Sequence, residues 1–428
     1  MQQQYPYAII GAGPSGLCMA KNLKDAGIPF LGFEASSDVG GLWNIENEFS
    51  TVYESAHLIS SKTRTQFTAF PMSNETADYP SHRELCQYFK DYASEFDLYE
   101  DYRFNSKVVK TTRKADHWIL ELESGEQHQV QGLCIANGTL SHPNIPTFKG
   151  EFEGELFHSC KYKHSDVFAD KRVLIIGAGN SGCDIAVDAV HRAQKVAMSV
   201  RRGYHFVPKY IFGKPADAVG SMIKLPRKLK QRIDTKILKW FTGDPEAFGF
   251  PKPDHAIYES HPIVNSLVLY YAGHGDIEVK KDIDRFDGKM VHFVDGHAEE
   301  FDLILLATGY KLHYPFIDQS ELNWEGTRPR LFLNIFHPEK DDLFVLGLIE
   351  AAGIGWEGRN EMAKLVTAYI KAKHQNPRLA EAFKTIKGGL MPDMSGGYNY
   401  IKLDRMAYYV HNDTYRKLLN KYLKTLSA

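Results

Sequence analysis

The chain has 428 residues, too many for one ordinary hydrophobic core, so two or more domains are expected. Hydrophobic residues make up 43% and charged residues 24%, the balance of a soluble globular protein. A formal net charge of -2 leaves no basic excess for a nucleic-acid partner, and no run reaches the roughly 18 apolar residues of a transmembrane segment. Five cysteines (Cys18, Cys86, Cys134, Cys160, Cys183) stand singly, without a C-x-x-C pair or metal-ligand spacing, so no metal site is expected. The same pattern, with an N-terminus that runs straight into an apolar strand and leaves no room for a signal peptide, predicts a reduced, cytoplasmic protein.

That first strand opens into Gly11-Ala-Gly13-Pro14-Ser15-Gly16, with helical spacing to Ala26-Gly27. Strand, G-x-G-x-x-G and helix in this order are the dinucleotide fingerprint. The first glycine permits the tight turn, the second lets backbone approach a pyrophosphate, and the third lets helix pack on strand. A second apolar run, Phe30 to Phe33, ends in Glu34, 23 residues after Gly11, where an acid would meet a ribose 2′-hydroxyl. Gly40-Gly41-Leu42-Trp43 then suggests backbone pressed against a ligand. Residues 50–80 read as loops, Pro80 to Phe96 as a helix, and 104–112, 117–123 and 127–136 as strands. The last of these ends in Ala136-Asn-Gly138, an exit from the domain.

The fingerprint then recurs. Val173 to Ile176 opens into Gly177-Ala-Gly179-Asn180-Ser181-Gly182, and the Ala/Val-rich segment after it has helical spacing. One such match carries little weight; two in one chain carry much more. Here 23 residues after the first glycine stand Val200, Arg201 and Arg202, with no acid. Guanidiniums would bind the 2′-phosphate that an acid repels. One chain therefore holds two different nucleotides, an adenosine with a free 2′-hydroxyl and NADP. Within 222–241, Leu225, Leu229, Ile233 and Ile237 form an i, i+4 stripe among basic residues. A membrane-surface helix has this pattern, but an insertion packed by its stripe is the expectation. Phe301 to Tyr310 repeats the exit, through Ala307-Thr308-Gly309. Leu343 to Gly347 reads as another buried strand, Asn360 to Lys373 as its helix, and 398–428 as a Tyr-rich segment ending in a mixed basic helix.

Between the fingerprints lies Phe152-x-Gly154-x-x-x-His158-x-x-x-Tyr162-Lys163, which resembles the identifying motif of flavin-containing monooxygenases. The fingerprints, Glu34 with Gly40 to Trp43, and Ala307 to Tyr310 follow in that family's order. The resemblance implies an α/β fold of two Rossmann-like dinucleotide-binding domains, the NADP domain inserted into the FAD domain. It places the first part of the FAD domain at 1–160, the NADP domain at 161–305 with an insertion at 203–262, and the rest of the FAD domain with the C-terminal segment at 306–428. Implied cofactors are FAD, held by Gly11, Gly13, Pro14, Ser15, Gly16, Glu34, Gly41, Leu42 and Trp43, and NADP(H), held by Gly177, Gly179, Asn180, Ser181, Gly182, Arg201 and Arg202. Thr308 and Gly309 join the cofactor-binding set.

The implied reaction is NADPH- and O2-dependent oxygenation of a small-molecule nucleophile, at amine nitrogen or sulfide sulfur, through a flavin hydroperoxide. Baeyer–Villiger oxygenation of ketones is the alternative, although those relatives carry Trp where Tyr162 stands. A flavin-dependent pyridine-nucleotide reductase would need a redox-active cysteine pair, which the chain lacks. One departure is Ile59, at the place of the family's flavin-edge Asn; Ser60 and Ser61 are the candidates to stand in. His158 and Tyr162 are expected to set geometry, and His57 to hydrogen-bond or pack. Oligomeric state, including a homo-oligomer, stays open.

Overall fold

The computed structural model describes residues 5–219 and 226–427, in a mixed α/β arrangement. The chain divides into two compact units, one of Met1–Ser50, Lys62–His142 and Lys311–Ala428, the other of Thr51–Ser61 and Pro143–Tyr310.

The first unit is built on a five-stranded sheet in the order Leu343–Val345, Gly132–Ile135, Tyr7–Ile10, Phe30–Phe33, Tyr102–Arg103, parallel throughout. Its central strand Tyr7–Ile10 is buried along its whole length, which is why that run is continuously apolar rather than alternating. Helix Pro14–Asp25 follows the glycine turn with proline in its first turn, where the missing N–H costs no hydrogen bond. An antiparallel meander of Val108–Arg113, Trp118–Leu122 and Gln127–Val130 supplies Trp118 and Leu120 to the core formed with Ala8, Ile10, Leu133 and Val345.

The single run predicted over 127–136 is thus two strands in two sheets. The change comes at Gly132, where a Cβ would lie 2.6 Å from the Asp342 carbonyl oxygen and 2.8 Å from the Tyr7 ring, so only glycine lets the chain enter the parallel sheet there. Helix His82–Glu95 starts just after Pro80 because Ser81 and Glu84 form a reciprocal capping box. Helix Gly355–Gln375 begins earlier than the predicted Asn360.

The second unit repeats the plan. Its five parallel strands run Ile277–Lys280, Lys195–Ser199, Arg172–Ile176, Leu303–Leu306, Glu155–His158, again with the fingerprint strand central. A meander of Ile283–Asp287, Met290–Phe293 and Ala298–Glu300 covers the sheet, burying Phe286, Val291 and Phe301 against Leu174 and Ile304. Strand Glu155–His158 pairs with Leu303–Leu306, so residues 143–160 belong to this unit rather than to the first domain expected from the sequence. Thr51–Ser61 joins it as well.

The helix of the 203–262 insertion runs Arg227–Thr242, and its stripe does not pack as expected. Leu229 is 47% exposed and Ile237 41%, while Ile233 is half-buried. The buried residue of this helix is Gln231, whose side-chain amide donates to the Ile257 carbonyl at 2.9 Å. Leu225 lies outside the described residues. Among the described residues no helix is long and apolar enough to cross a membrane.

Both units share one close approach. Gly11 has φ +108° and Gly177 +109°, and a Cβ on Gly16 or Gly182 would sit 1.8 or 2.1 Å from the carbonyl oxygen of Gly11 or Gly177 respectively. Gly16→Ala and Gly182→Ala should each destabilise the protein by about 1–3 kcal/mol, the cost of overpacking. Urea unfolding midpoints check this, with Gly179→Ala as the reference, since its Cβ would meet nothing within 4 Å.

Candidate functional site

In each unit the fingerprint helix begins at the carboxyl ends of the parallel strands, with its unpaired N–H groups and positive dipole end directed off the sheet. In the first unit Gly13 has φ -75° and ψ -176°, extended backbone open to any residue. A Cβ there would touch only the Gly41 Cα, at an ordinary 3.7 Å. Neither backbone nor packing therefore demands glycine at this position; what it keeps is open surface at the helix N-terminus. Gly41, at φ +56°, faces it and begins the turn Gly41–Trp43 that carries Leu42 and Trp43. Ser15 is buried in the helix's first turn beside Pro14.

Glu34, at the tip of the second strand, is 6% exposed. Its carboxylate accepts the Ala12 N–H at 2.6 Å and both the backbone N–H and the hydroxyl of Ser36 at 2.9 Å. A carboxylate has about four acceptor positions, so capacity for one more donor remains beside the turn.

The second unit has the same turn and different charges. Gly179 has φ -71° and ψ 176°, and again nothing in the chain requires it to be glycine. Asn180 departs from expectation. Its amide donates to the Pro262 carbonyl at 3.1 Å and its oxygen accepts the Val264 N–H at 2.7 Å, so the side chain holds a loop rather than waiting for a pyrophosphate. Ser181 stays in the first turn of helix Asn180–Val190.

Arg201 is exposed and has no ion pair among the described residues. Arg202 pairs through Nε with Asp254 at 3.0 Å, while its Nη1 is buried with no hydrogen-bond partner. Buried N–H groups are rarely left unpaired, and an orphaned guanidinium nitrogen marks the place of an absent acceptor. Lys209 is partly buried, its pKa lowered by that burial and drawn back by Asp184; Lys214 is exposed.

Thr308 and Gly309 spend their groups on the strand exit. The Thr308 hydroxyl donates to the Asn144 carbonyl at 2.6 Å. Gly309's carbonyl accepts the Asn144 N–H at 2.9 Å and His158 Nε2 at 3.0 Å. His158 Nδ1 in turn accepts the Cys160 N–H at 3.1 Å, so the imidazole is neutral, and its burial lowers the pKa. His57 Nδ1 bonds the Ser55 carbonyl at 2.8 Å, the hydrogen-bonding role expected of it. Ser61 is buried, its N–H donating to Asp217 at 2.7 Å; Ile59 and Ser60 are half-buried.

The model of the flavin-binding monooxygenase-like family matches residues 5–406. The chain belongs to that family. It is 32% identical to flavin-containing monooxygenase 1 of Mus musculus over 372 residues, 81% of this chain and 70% of the relative. It is equally identical to flavin-containing monooxygenase 2 of Homo sapiens over 392 residues, 85% and 73% of the two chains. Among solved structures the fold is similar to Tmm from Pelagibacter sp. strain HTCC7211 (TM-score 0.70, 19% identity, 99% of this chain, 89% of that one). It is also similar to OTEMO in complex with FAD and NADP (TM-score 0.72, 18% identity, 97% of both chains). The protein is accordingly a flavoprotein monooxygenase, and its cofactors are FAD and NADP(H).

The residues present fit these two groups. Each turn pairs a helix N-terminus with a glycine that the chain itself does not need, and the second adds an unpartnered guanidinium N–H. What the sequence did not reveal is a cluster behind the second turn. Asp184 accepts Asn265 at 2.5 Å and Tyr53 at 3.2 Å, and Asp188 accepts Tyr162 at 2.9 Å and also Ser55. The i, i+4 spacing of the two acids on a helix was the one available signal.

Because an added Cβ would meet only the Gly41 Cα at 3.7 Å at Gly13, and nothing within 4 Å at Gly179, Gly13→Val and Gly179→Val should fold and yet each fail at one nucleotide only. Gly13→Val is expected to purify without flavin. Gly179→Val should keep its flavin and raise the KM for NADPH. Flavin absorbance and steady-state kinetics check both; a yellow Gly13→Val with full flavin content would refute the assignment.

Proposed function

We propose that the first unit is a Rossmann-like FAD domain, that the second is an NADP domain inserted into it, and that the enzyme oxygenates amine nitrogen or sulfide sulfur with NADPH and O2. Bound FAD, with NADPH as reductant, would supply the oxygen-activating chemistry, and the reaction would then call for no protein nucleophile. The chain's part is to bind, orient and exclude water. Gly11 to Gly16 would carry the flavin pyrophosphate on the first helix, Glu34 the adenosine ribose, and Gly41 to Trp43 the opposite side of the turn. Gly177 to Gly182 would do the same for NADP through backbone N–H groups, with Arg201 and Arg202 on the 2′-phosphate.

The observation that carries the substrate class is the motif ending in Tyr162-Lys163. Its support is a relative in Pan troglodytes, 32% identical over 392 residues, named dimethylaniline monooxygenase [N-oxide-forming] 2. Ketone oxygenation is the second reading; the likeness to cyclohexanone monooxygenase (TM-score 0.72, 17% identity) shows the shared fold. Incubation with NADPH, O2 and either a tertiary amine, a thioether or a cyclic ketone separates the two. N-oxide or sulfoxide formed in proportion to NADPH consumed is the expected result, and lactone as the main product would overturn the reading.

The arginine pair sets a second test. A hydrogen bond to a charged group contributes about 1.5–3 kcal/mol, so removing one should weaken NADPH binding roughly 10- to 150-fold. Arg201→Ala and Arg202→Ala should therefore raise the KM for NADPH and shrink the preference over NADH, with flavin content unchanged. Arg202→Ala should do so more strongly, because it also takes the Arg202 cation away from Asp254, whose other oxygen bonds His255. A preference that survives in the double variant would place the phosphate elsewhere, with Lys209 or Lys214 next to test.

A further inference from the structure

The last two residues of the family motif, Tyr162 and Lys163, grip a stretch of chain about a hundred residues earlier. Lys163 Nζ donates to the Val52 carbonyl at 2.9 Å, and the Glu54 N–H donates to the Lys163 carbonyl at 3.0 Å. Tyr162 is 1% exposed, and its hydroxyl donates to Asp188 Oδ2 at 2.9 Å. The Ser55 hydroxyl donates to the same oxygen. Tyr53 lies against the Tyr162 ring, centroids 5.5 Å apart, and donates to Asp184 at 3.2 Å. At the far end the Ser61 N–H donates to Asp217 at 2.7 Å.

Segment Thr51–Ser61 is thereby fastened at both ends within the second unit. Asp184 and Asp188 stand one helical turn apart on Asn180–Val190, the helix that begins at the dinucleotide turn. Hydrogen bonds between hydroxyls and a carboxylate are charge-assisted and shorter than neutral ones, so this is a stiff attachment rather than a loose contact.

We propose that Tyr162 and Asp188 are positioning residues for oxygenation: they hold segment 51–61, and with it Ile59, Ser60 and Ser61, in fixed register with the NADP-binding helix. This rests on the reading that the enzyme is an NADPH-dependent oxygenase. Neither residue meets a cofactor in this role. Loosening the segment therefore leaves both dinucleotide turns and the arginines intact while degrading the order of the site that must keep water out during oxygen transfer.

The test uses the full-length holoenzyme with Tyr162→Phe, Ser55→Ala and Asp188→Ala, and Asp188→Asn, which keeps an oxygen acceptor. Amide hydrogen exchange at Glu54 and Ser61 reads the segment directly. Losing one of these charge-assisted hydrogen bonds should speed exchange there about 10- to 150-fold. With substrate present the share of NADPH oxidation that ends as hydrogen peroxide should rise, and without substrate the rate of peroxide release should rise, while flavin content and the KM for NADPH stay within about twofold. Asp188→Asn should recover part of both effects, and Tyr162→Phe with Ser55→Ala should add less than their sum because they share one acceptor.

Unchanged exchange, or faster exchange with unchanged peroxide release, would overturn the proposal, as would an effect confined to the KM for NADPH. Should Asp188→Ala not fold, Ser55→Ala, at an exposed residue, gives the same reading. Failure of the wild-type enzyme to oxygenate an amine or sulfide would count against the proposed substrate class. The exchange rates and the substrate-free peroxide release would still decide the role of the segment.

Discussion

Everything functional in this chain depends on a helix resting on the end of a strand with no side chain between them. The Gly11 carbonyl oxygen occupies the place a Gly16 Cβ would need, and the Gly177 carbonyl that of Gly182. The positive φ of the first glycine turns the chain off the strand. Its own missing Cβ makes room for a neighbouring strand's exit, since a Cβ there would lie 2.6 Å from the Ala136 oxygen or 2.5 Å from that of Ala307. The equivalent hydrogen bonds recur too: Ala136 N–H to Ile10 and Ala307 N–H to Ile176. Fingerprint strand, helix start and exit strand are thus locked as one object, and the crevice between the first and last is where an open parallel sheet binds its ligand.

One scaffold used twice must be told apart by charge. In the first unit a buried carboxylate, Glu34, is kept by three N–H and O–H donors, and its charge would repel a phosphate. In the second, Arg201 and Arg202 stand after the corresponding strand. Arg202 is only half satisfied by Asp254, an arrangement that holds the guanidinium in place without neutralising every donor.

What could be read from the sequence was what is local. Each fingerprint lies within a short stretch whose period changes from strand to helix, and the acid or arginine at its end is in register with it. Contacts that join distant stretches left no such trace. Tyr53 meets Asp184 across 131 residues, so nothing near Tyr53 announces that residues 51–61 belong with the second unit. Asn180 fits a phosphate turn by sequence, but its amide is claimed by Pro262 and Val264, more than eighty residues on. The basic helix shows the complementary limit: the i, i+4 stripe at Leu229 and Ile237 correctly predicted helix, but periodicity says which residues share a face, not whether that face is covered.

The placement of Asp184 and Asp188 has an electrostatic cost that helps explain what they do. Both sit on the helix whose N-terminus is proposed to take an anionic nucleotide, roughly 6 and 12 Å along its axis at 1.5 Å per residue. Negative charge behind that end opposes the dipole that favours phosphate. Burial pushes the Asp184 pKa upward, and Asn265, Lys209 and Tyr53 pull it back by stabilising the charged form. A pair of amides would accept the same hydroxyls without opposing the phosphate, but more weakly. Carboxylates suit these positions only if the strength of their hydrogen bonds to Tyr53, Ser55 and Tyr162 outweighs the loss in anion affinity. With Arg201 and Arg202 on the 2′-phosphate, as proposed, that loss would be small, and the helix could bind at its front and fasten a distant segment along its side.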